Sequence, residues 1–286
     1  MSGKYRKLQK TLKGFIKFKD VSKAIKFVSG ASLASLRKNL NNKFEALQNV
    51  MPLFDNISYS DEYNNALVIC VTEDRGCCGP HNNDIIDYTR SLITTLEEND
   101  INIGLFCLGL KGSNVLNKLY SEKIIGSLVN YKDAIYAPDM MYLLLMGLMQ
   151  LIKFNYDRCF VVFNQYVSTL VQKVACYELS SYNEFENIIY KKIGEQEKTI
   201  LFFTSLLEGS EFNIRNLYNF GISTILSDAL SDNKYSFLAS RFFAMDVAIQ
   251  NVEELISILT IKFNKARQEA ITTESTEIIT CKEAIK

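Results

Sequence analysis

The C-terminal third of the chain carries a hydrophobic pattern with the period of a coiled coil. Apolar residues follow one another at alternating steps of four and three, and a seam of this length predicts a long helix packed on a partner helix. The seam consists of Leu238, Phe242, Met245, Ile249, Val252, Ile256, Leu259, Phe263, Ala266 and Ala270. Beyond it the pattern meets Thr273, Glu277 and Thr280, so we expect the partner helix to end near residue 266.

The N-terminal segment has a rougher version of the same pattern. Its apolar runs are Leu8, Leu12 and Phe15; Val21, Ile25 and Val28; and Leu33, Leu36, Leu40, Phe44, Leu47, Met51 and Phe54. Gly14 and Gly30 each weaken a helix by about 1 kcal/mol relative to alanine, so this helix needs a partner. Two such helices, one at each end of the chain, can bury their seams against each other as an antiparallel pair.

Between the two ends, strand-like and helix-like stretches alternate. "ALVICVTE", "INIGLFCLG", "RCFVVFNQ", "QKVACYEL" and "KTILFFTS" have the pattern of strands, and "DIIDYTRSLITTLEEN", "GSNVLNKLYSE" and "APDMMYLLLMGLMQLIKF" that of helices. This alternation predicts an α/β layer structure with a mixed or parallel sheet. We therefore expect an N-terminal coiled-coil helix over 1–58, an α/β domain over 64–208 and a C-terminal coiled-coil helix over 211–284.

Charge is distributed unevenly along a chain whose formal net charge is zero. Residues 1–43 hold twelve lysines and arginines and one acid, Asp20. This asymmetry predicts an acidic partner for the N-terminal end, and nucleic acid, anionic lipid and an acidic protein are all eligible. RNA binding would need aromatic stacking platforms, whereas the phenylalanines near these lysines fit helix packing.

Cysteine usage and hydropathy bear on the compartment. The seven cysteines are scattered and several lie in apolar runs, which favours a reducing compartment over a disulfide scaffold. The longest apolar run, "MMYLLLMGLMQLI", is shorter than the roughly 20 residues that a membrane-spanning helix needs, so we expect no direct membrane span. No secretory signal is expected, while the lysine-rich start is compatible with a mitochondrial address.

The stretch "TEDRGCCGPHN", residues 72–82, is the candidate for chemistry. It lacks both phosphate-binding glycine motifs, and Pro80 removes a backbone donor that a phosphate nest needs. Cys78 and His81 are too few for a zinc site, and a base three residues from its nucleophile on a tight turn is poorly placed for catalysis. A glycine turn between strand and helix is the simplest interpretation, with no cofactor, metal or catalytic residue expected.

Read together, this loop and the two chain ends resemble the gamma subunit of rotary ATP synthases. The loop is similar to that family's "DRGLCGG.N" turn, and "LKGFIKFKDVSKAIKFVSGASL" to its first helix. The stretch "SRFFAMDVAIQNVEELISILTIKFNKARQEAITTESTEIIT" is similar to its "R..AMD.AT.NA...I..L.L.YNR.RQA.IT.E..EI". The chain departs from the pattern at Cys77, Pro80 and Phe237, where leucine, glycine and glutamate are usual, and "LEGS" at 207–210 replaces a usual Glu-Pro.

The resemblance implies a fold and a function. The fold is an antiparallel coiled coil of long N- and C-terminal helices with a central Rossmann-like α/β domain, the C-terminal helix outrunning its partner. The function is that of a non-catalytic rotor shaft that couples a turning ring of membrane c subunits to an alpha/beta catalytic hexamer. Delta- or epsilon-type central-stalk subunits are further expected partners, and nucleic acid is not.

The resemblance also implies contact residues. Arg267 and Gln268 match an "RQ" pair that contacts a loop of one catalytic subunit, and Thr272 and Glu274 match the adjoining "IT.E". We expect these four residues, the catch, to form one releasable polar contact, whereas alone they would be solvated positions on a coiled coil.

Two further groups of residues are expected to matter. A basic track that opposes acidic loops of the catalytic subunits is made of Lys13, Lys17, Lys23 and Lys26. Residues expected to set the turn after the first strand are Asp74, Arg75, Gly76 and Gly79.

Two other functions and two locations stay open at this point. The alternative class is a coiled-coil tether or scaffold with an α/β domain, and an enzyme ranks third. The chain lacks the cysteine-bearing insertion of the plastid form. We therefore expect the matrix side of a mitochondrial inner membrane or, alternatively, the cytoplasmic side of a bacterial plasma membrane.

Overall fold

The computed structural model describes residues 2–55, 63–130, 156–187 and 211–285, and side chains within 5–36, 63–130, 156–187 and 214–285. The predicted helix at 137–154, the predicted strand at 198–205 and the "LEGS" segment lie outside the described residues.

The described residues form long helices at both ends and shorter elements between them. The helices are α1 (Ser2–Asp55), α2 (His81–Glu98), α3 (Leu110–Leu119) and α4 (Glu211–Ala284), and a helical turn covers 182–187. The strands are β1 (Asn65–Val71), β2 (Asn102–Leu108), β3 (Ile124–Leu128), β4 (Arg158–Tyr166) and β5 (Gln172–Ser180). The two long helices at the chain ends confirm the fold class that the sequence predicts.

The chain divides into two compact units, and α1 and α4 run through both. One unit, the helical pair, combines Met1–Ala31 with Arg241–Lys286, and the other, the α/β unit, is Ser32–Ser240. The domain limits predicted from the sequence follow element boundaries instead and stay predictions.

The α/β unit is built on a mixed five-stranded sheet in the order β3-β2-β1-β4-β5. β1 pairs parallel with β2 and β4, β2 pairs parallel with β3, and only β5 runs antiparallel, on β4. The apolar runs of β1, β2 and β4 are buried almost throughout, as expected for strands covered on both faces. The sequence predicts a mixed or parallel sheet, and the structure shows the mixed one. β3 was not predicted, because "IIGSL" is short and interrupted by Gly126 and Ser127.

Two hydrophobic layers cover the two faces of the sheet. On one face, Ile214, Ile222 and Leu226 of α4 pack against Leu67, Val161 and other strand residues. On the other face, Ile85 and Ile93 of α2 and Leu116 of α3 pack against residues such as Val68 and Leu105. The unit therefore has three layers, helix, sheet and helix, as in doubly wound folds.

The helical pair is antiparallel, as predicted. The Tyr5 and Phe263 rings stack with centroids 5.0 Å apart. Further along, Lys19 Nζ lies 3.1 Å from Glu253 Oε1, and Lys26 Nζ lies 2.5 Å from Asp246 Oδ1. Residues later in α1 thus contact residues earlier in α4. Each half-exposed ion pair contributes at most about 1 kcal/mol to stability.

The structure confirms the α4 seam but corrects the α1 seam. Met245, Ile249, Val252 and Ala266 are buried, as predicted, whereas the predicted seam residue Phe242 is exposed. Val21 and Val28, predicted as seam residues, are more than half exposed, whereas Ser22 and Ser29 are buried.

The heptad frame that Leu8 and Phe15 set continues to Ser22 and Ser29, so two small polar residues take core positions. The apolar pattern could not show this, because the buried residues, Ser22 and Ser29, are polar, whereas their exposed neighbours, Val21 and Val28, are apolar. Small residues permit close helix approach, and a Cβ at Gly30 would lie 3.1 Å from a ring carbon of Phe242.

The C-terminal end of α4 has no covering partner among the described residues. From residue 271 to 285 every residue except the half-buried Thr273 is exposed. This stretch is about 22 Å long at 1.5 Å per residue. The prediction that the partner helix ends near residue 266 is confirmed by the stacking of Tyr5, near the start of α1, on Phe263.

In the described ranges, no helix has a stretch sufficiently long and apolar to cross a bilayer.

Candidate functional sites

The loop from β1 to α2 is fixed by hydrogen bonds to the neighbouring β2–α3 connection. The Thr72 hydroxyl donates to the Leu108 carbonyl (2.8 Å) and accepts from the Gly112 N–H (2.9 Å). The Asp74 carboxylate accepts from the Leu110 N–H at 2.8 Å, at the first turn of α3, where a negative charge is favourable. The loop therefore joins the carboxyl ends of two parallel strands.

Asn82 closes the loop from inside. Its side-chain oxygen accepts from the Glu73 N–H (3.0 Å), and its amide nitrogen donates to the Arg75 carbonyl (3.3 Å) and lies 3.3 Å from Cys78 Sγ. Gly79 has a φ of 57°, a conformation that glycine adopts without strain. Cys77, where leucine is usual, adopts a φ of 60° and is exposed.

The four predicted turn residues thus differ in their surroundings. Asp74 and Gly79 occupy positions that their chemistry suits. Arg75 is exposed and engages Asn82 through its backbone, and a Cβ at Gly76 would make only ordinary contact, 3.6 Å, with the Lys111 side chain. Sequence reasoning did not single out Asn82, although the resemblance pattern includes it.

Cys78 and His81, the metal and catalytic candidates, have packing partners. Cys78 is buried with Phe237 and Leu238 of α4. The His81 ring lies edge-on to Phe237, with centroids 5.7 Å apart. In the part of the chain that the structure describes, no three His, Cys, Asp or Glu side chains lie close enough to hold a metal ion. The position where Phe237 replaces the usual glutamate is therefore an apolar contact with this loop.

His81 is a neutral, buried imidazole. Burial lowers the pKa of His81 to about 3. The Asn164 amide nitrogen donates to the His81 carbonyl (2.9 Å) and lies 3.0 Å from His81 Nδ1. Because an amide nitrogen only donates, Nδ1 accepts and the ring proton resides on Nε2.

We expect His81 to make the α/β unit acid-sensitive. Unfolding restores an ordinary pKa near 6.5, so the unfolded chain takes up a proton that the folded chain refuses. The stability is complete above pH 6.5 and falls by about 1.4 kcal/mol per pH unit below it, until the pH nears 3. Urea unfolding of wild type and His81→Gln at several pH values measures this. A wild-type slope no steeper than that of the variant between pH 6 and 4 would contradict it.

Four cysteine thiols of the sheet are unreactive. Burial raises the pKa of Cys70, Cys107 and Cys176 to about 12, and that of Cys159 also rises. Since the thiolate is the reactive form, these cysteines behave as small apolar side chains.

The four catch residues lie within about two turns of α4, two of them in its uncovered end and two just before it. Arg267, Gln268, Thr272 and Glu274 are all exposed. The Thr272 hydroxyl donates to the Gln268 carbonyl at 2.9 Å, within the helix. Arg267 and Glu274 form no ion pair with another described residue, which leaves both charges available to a partner.

The four lysines of the basic track have unlike surroundings. Lys13 and Lys17 are exposed and make no ion pair within the described ranges. Lys23 lies 4.0 Å from the Glu253 carboxylate. Lys26 is half-buried, binds Asp246 and lies 5.1 Å above the Phe242 ring. Part of the track therefore serves to hold the helical pair together.

Comparison with known proteins gives a consistent picture. The family model described as ATP synthase matches residues 4–285. The ATP synthase gamma chain of Ehrlichia canis is 28% identical over 268 residues, 90% of each chain. The mitochondrial ATP synthase subunit gamma of Trypanosoma brucei brucei is 26% identical over 294 residues, 100% of this chain and 94% of that one.

A solved structure shares the fold. A chain of the Euglena gracilis mitochondrial ATP synthase (OSCP/F1/c-ring, rotational state 3) superposes with a TM-score of 0.83 at 21% identity, covering 100% of this chain and 95% of that one. Because the family model spans nearly the whole chain and the relatives are gamma chains along their length, the chain belongs to the gamma-subunit family of ATP synthases, as a divergent member.

Proposed function

We propose that the chain is the central rotor shaft of an ATP synthase, coupling rotation of a membrane ring of c subunits to the catalytic sites of an alpha/beta hexamer. Delta- or epsilon-type central-stalk subunits complete the rotor. The observation that carries this proposal is the family match over residues 4–285, because it takes in both helical ends and the sheet in one stretch. A tether or scaffold would need no hexameric partner, and family membership favours the rotor over it.

The coupling is mechanical, and the chain is a non-catalytic subunit of its complex. The helical pair joins two different helices, so each catalytic subunit meets a different surface of it. Each surface stabilises one catalytic conformation, and rotation then cycles the nucleotide affinity through differences in contact free energy. Moving a site from 1:99 to 99:1 in favour of one state needs about 5.5 kcal/mol of differential interaction. Many weak contacts supply this without holding the shaft in place.

The uncovered end of α4 suits such contacts. Over 271–285 every described residue except the half-buried Thr273 is exposed, and Arg267 and Gln268, just before this stretch, are exposed too. We assign the releasable polar contact to Arg267, Gln268, Thr272 and Glu274. Charge-assisted hydrogen bonds depend strongly on direction, so a small rotation of the shaft is enough to break them.

Replacing Arg267 and Gln268 together by alanine should slow ATP hydrolysis by the assembled complex while leaving assembly intact. Both side chains are exposed, so folding does not depend on them. Loss of one charge-assisted hydrogen bond, about 1.5 kcal/mol, corresponds to a roughly tenfold lower turnover. The measurement is steady-state ATP hydrolysis by purified complex.

Lys262→Ala is the matched control, because it removes one positive charge from another exposed position on the same helix. Its turnover should stay within about twofold of wild type. Equal turnover in the double variant and the control would remove the catch from the mechanism.

We place the complex at a mitochondrial inner membrane, with this chain as a peripheral subunit on the matrix side. The trypanosome mitochondrial relative supports this, since it aligns with the full length of the chain. The alternative is the cytoplasmic side of a bacterial plasma membrane, which relatives from Ehrlichia keep open. Cell fractionation followed by immunoblotting of mitochondrial membranes separates the two.

A further inference from the structure

Buried polar side chains join α4 to the carboxyl ends of β1 and β4. We name this set the polar junction and define it as Cys78, His81, Asn164, Asn233 and Ser240. All five lie in the α/β unit and all are nearly inaccessible to solvent. None of the five belongs to the proposed contact with the hexamer.

The hydrogen bonds of the polar junction link three separate stretches of chain. Asn164, in β4, donates through its side chain to the His81 carbonyl at the start of α2 (2.9 Å) and through its backbone N–H to the Asn233 side-chain oxygen in α4 (3.2 Å). Two turns further along α4, the Ser240 hydroxyl donates to the Cys78 carbonyl (2.8 Å). α4 is thereby held at two points, Asn233 and Ser240, which are two turns apart.

Neighbouring groups reinforce the same connection. Lys234 Nζ lies 3.5 Å from the buried Glu73 carboxylate, and the Tyr235 hydroxyl donates to the Leu36 carbonyl of α1 at 2.6 Å. The Tyr235 ring also faces that of Tyr166 in β4, with centroids 6.1 Å apart. Helices α1 and α4 and the sheet therefore meet at one place.

Burying polar groups in the junction costs folding free energy. Among the described residues, His81 Nε2, Asn233 Nδ2 and Ser236 Oγ are buried without a hydrogen-bond partner. Apolar side chains of the same size would avoid that cost. Buried polar residues are nevertheless used where a single register must be specified, as a buried asparagine does in a coiled coil.

We propose that the polar junction is the torque-bearing connection between α4 and the sheet. This rests on the proposed rotor function. Apolar packing lets a helix roll towards a neighbouring groove under load, whereas rolling α4 would break the bond from the Asn164 N–H to the Asn233 side chain and the bond from the Ser240 hydroxyl to the Cys78 carbonyl. The junction resists that roll, and α4 then carries the load onwards because the same helix continues to Ala284.

The test compares loaded and unloaded turnover in the assembled complex reconstituted into vesicles. The variant is Asn164→Leu with Asn233→Leu, which keeps side-chain size and removes directional contacts. We expect hydrolysis in vesicles made leaky to protons to stay within about twofold of wild type, because no load opposes rotation. In sealed vesicles, the steady proton gradient that ATP hydrolysis builds should fall at least about threefold, because α4 rolls against the sheet under load when the polar junction is lost.

Asn216→Leu is the matched control, an exposed asparagine on the same helix within the same unit. It should leave both readings unchanged. A wild-type gradient in the double variant overturns the proposal. So does an equal fractional loss of loaded and unloaded activity, since that is the behaviour of a merely destabilised chain.

A milder pair decides the matter should the double variant fail to assemble. Ser240→Ala removes one hydrogen bond, and Ser240→Thr keeps the hydroxyl that makes it. A lower gradient in the alanine variant with recovery in the threonine variant supports the proposal, and equal gradients in the two overturn it. Wild-type complex that builds no gradient would instead refute the rotor function itself.

Discussion

A chain that stops before Phe263 should leave a complex with little coupled activity, whereas one that stops after Glu277 should retain most of it. The shorter chain loses the buried Ala266 and the Phe263 ring that stacks on Tyr5. The N-terminal end of α1 is then left without its partner. The longer chain loses only exposed residues. We expect more than about a tenfold loss of ATP synthesis in the first case and less than about twofold in the second.

The measurement is ATP synthesis by reconstituted complex at equal gamma-subunit content. The shorter truncation also removes the four catch residues, so the Arg267→Ala, Gln268→Ala variant serves as its control. A truncation no worse than that control would mean that pairing of the helices beyond Phe263 contributes nothing. Equal activity in both truncations would contradict the assignment of where the seam ends.

Gly109→Ala should unfold or severely destabilise the α/β unit. Gly109 has a φ of 88°, which non-glycine residues rarely adopt, and an added Cβ would lie 2.1 Å from the Thr72 carbonyl oxygen. Strain and overlap with fixed backbone together should cost at least about 3 kcal/mol, more than a hundredfold in the unfolding equilibrium. Urea denaturation followed by circular dichroism or tyrosine fluorescence measures it.

Gly76→Ala is the matched control in the same unit. A Cβ there reaches only the flexible Lys111 side chain at 3.6 Å, so we expect a change within about 0.5 kcal/mol. Comparable destabilisation by the two substitutions would contradict the close approach of Gly109 to the Thr72 carbonyl.

The elements with a clear hydrophobic period could be predicted from the sequence. The α4 seam from Met245 to Ala266, the antiparallel pairing and the point where pairing fades all follow from spacing alone. β1, β2 and β4 are uninterrupted apolar runs bounded by turns, which is the strongest strand signal a sequence offers. β5 was also predicted as a strand, but its antiparallel direction was not, because the sheet could equally have been parallel.

The failures of prediction have specific physical causes. Ser22 and Ser29 occupy seam positions because helix approach favours small side chains, and hydropathy cannot distinguish that use of serine from a solvated one. β3 was missed because five residues with a central glycine carry little periodic signal.

The polar junction could not be predicted because its partners are far apart in sequence. Asn164 meets His81 and Asn233 across 83 and 69 residues, so no local pattern brings the three together. By contrast, the proposed catch residues form a local motif, which is why the resemblance could suggest them. No sequence pattern indicates that Lys23 and Lys26 lie close to carboxylates of α4. These contacts depend on how the two helices pair in space.

Subunit counting in the intact complex tests the central claim most directly. The complex is purified through an affinity tag on this chain and analysed by native mass spectrometry with and without detergent. It should contain about one copy of the chain for each alpha/beta hexamer. A change of detergent should release the ring of c subunits. A chain recovered as a free oligomer, or at equal stoichiometry with the catalytic subunits, would contradict a single shaft shared by one hexamer.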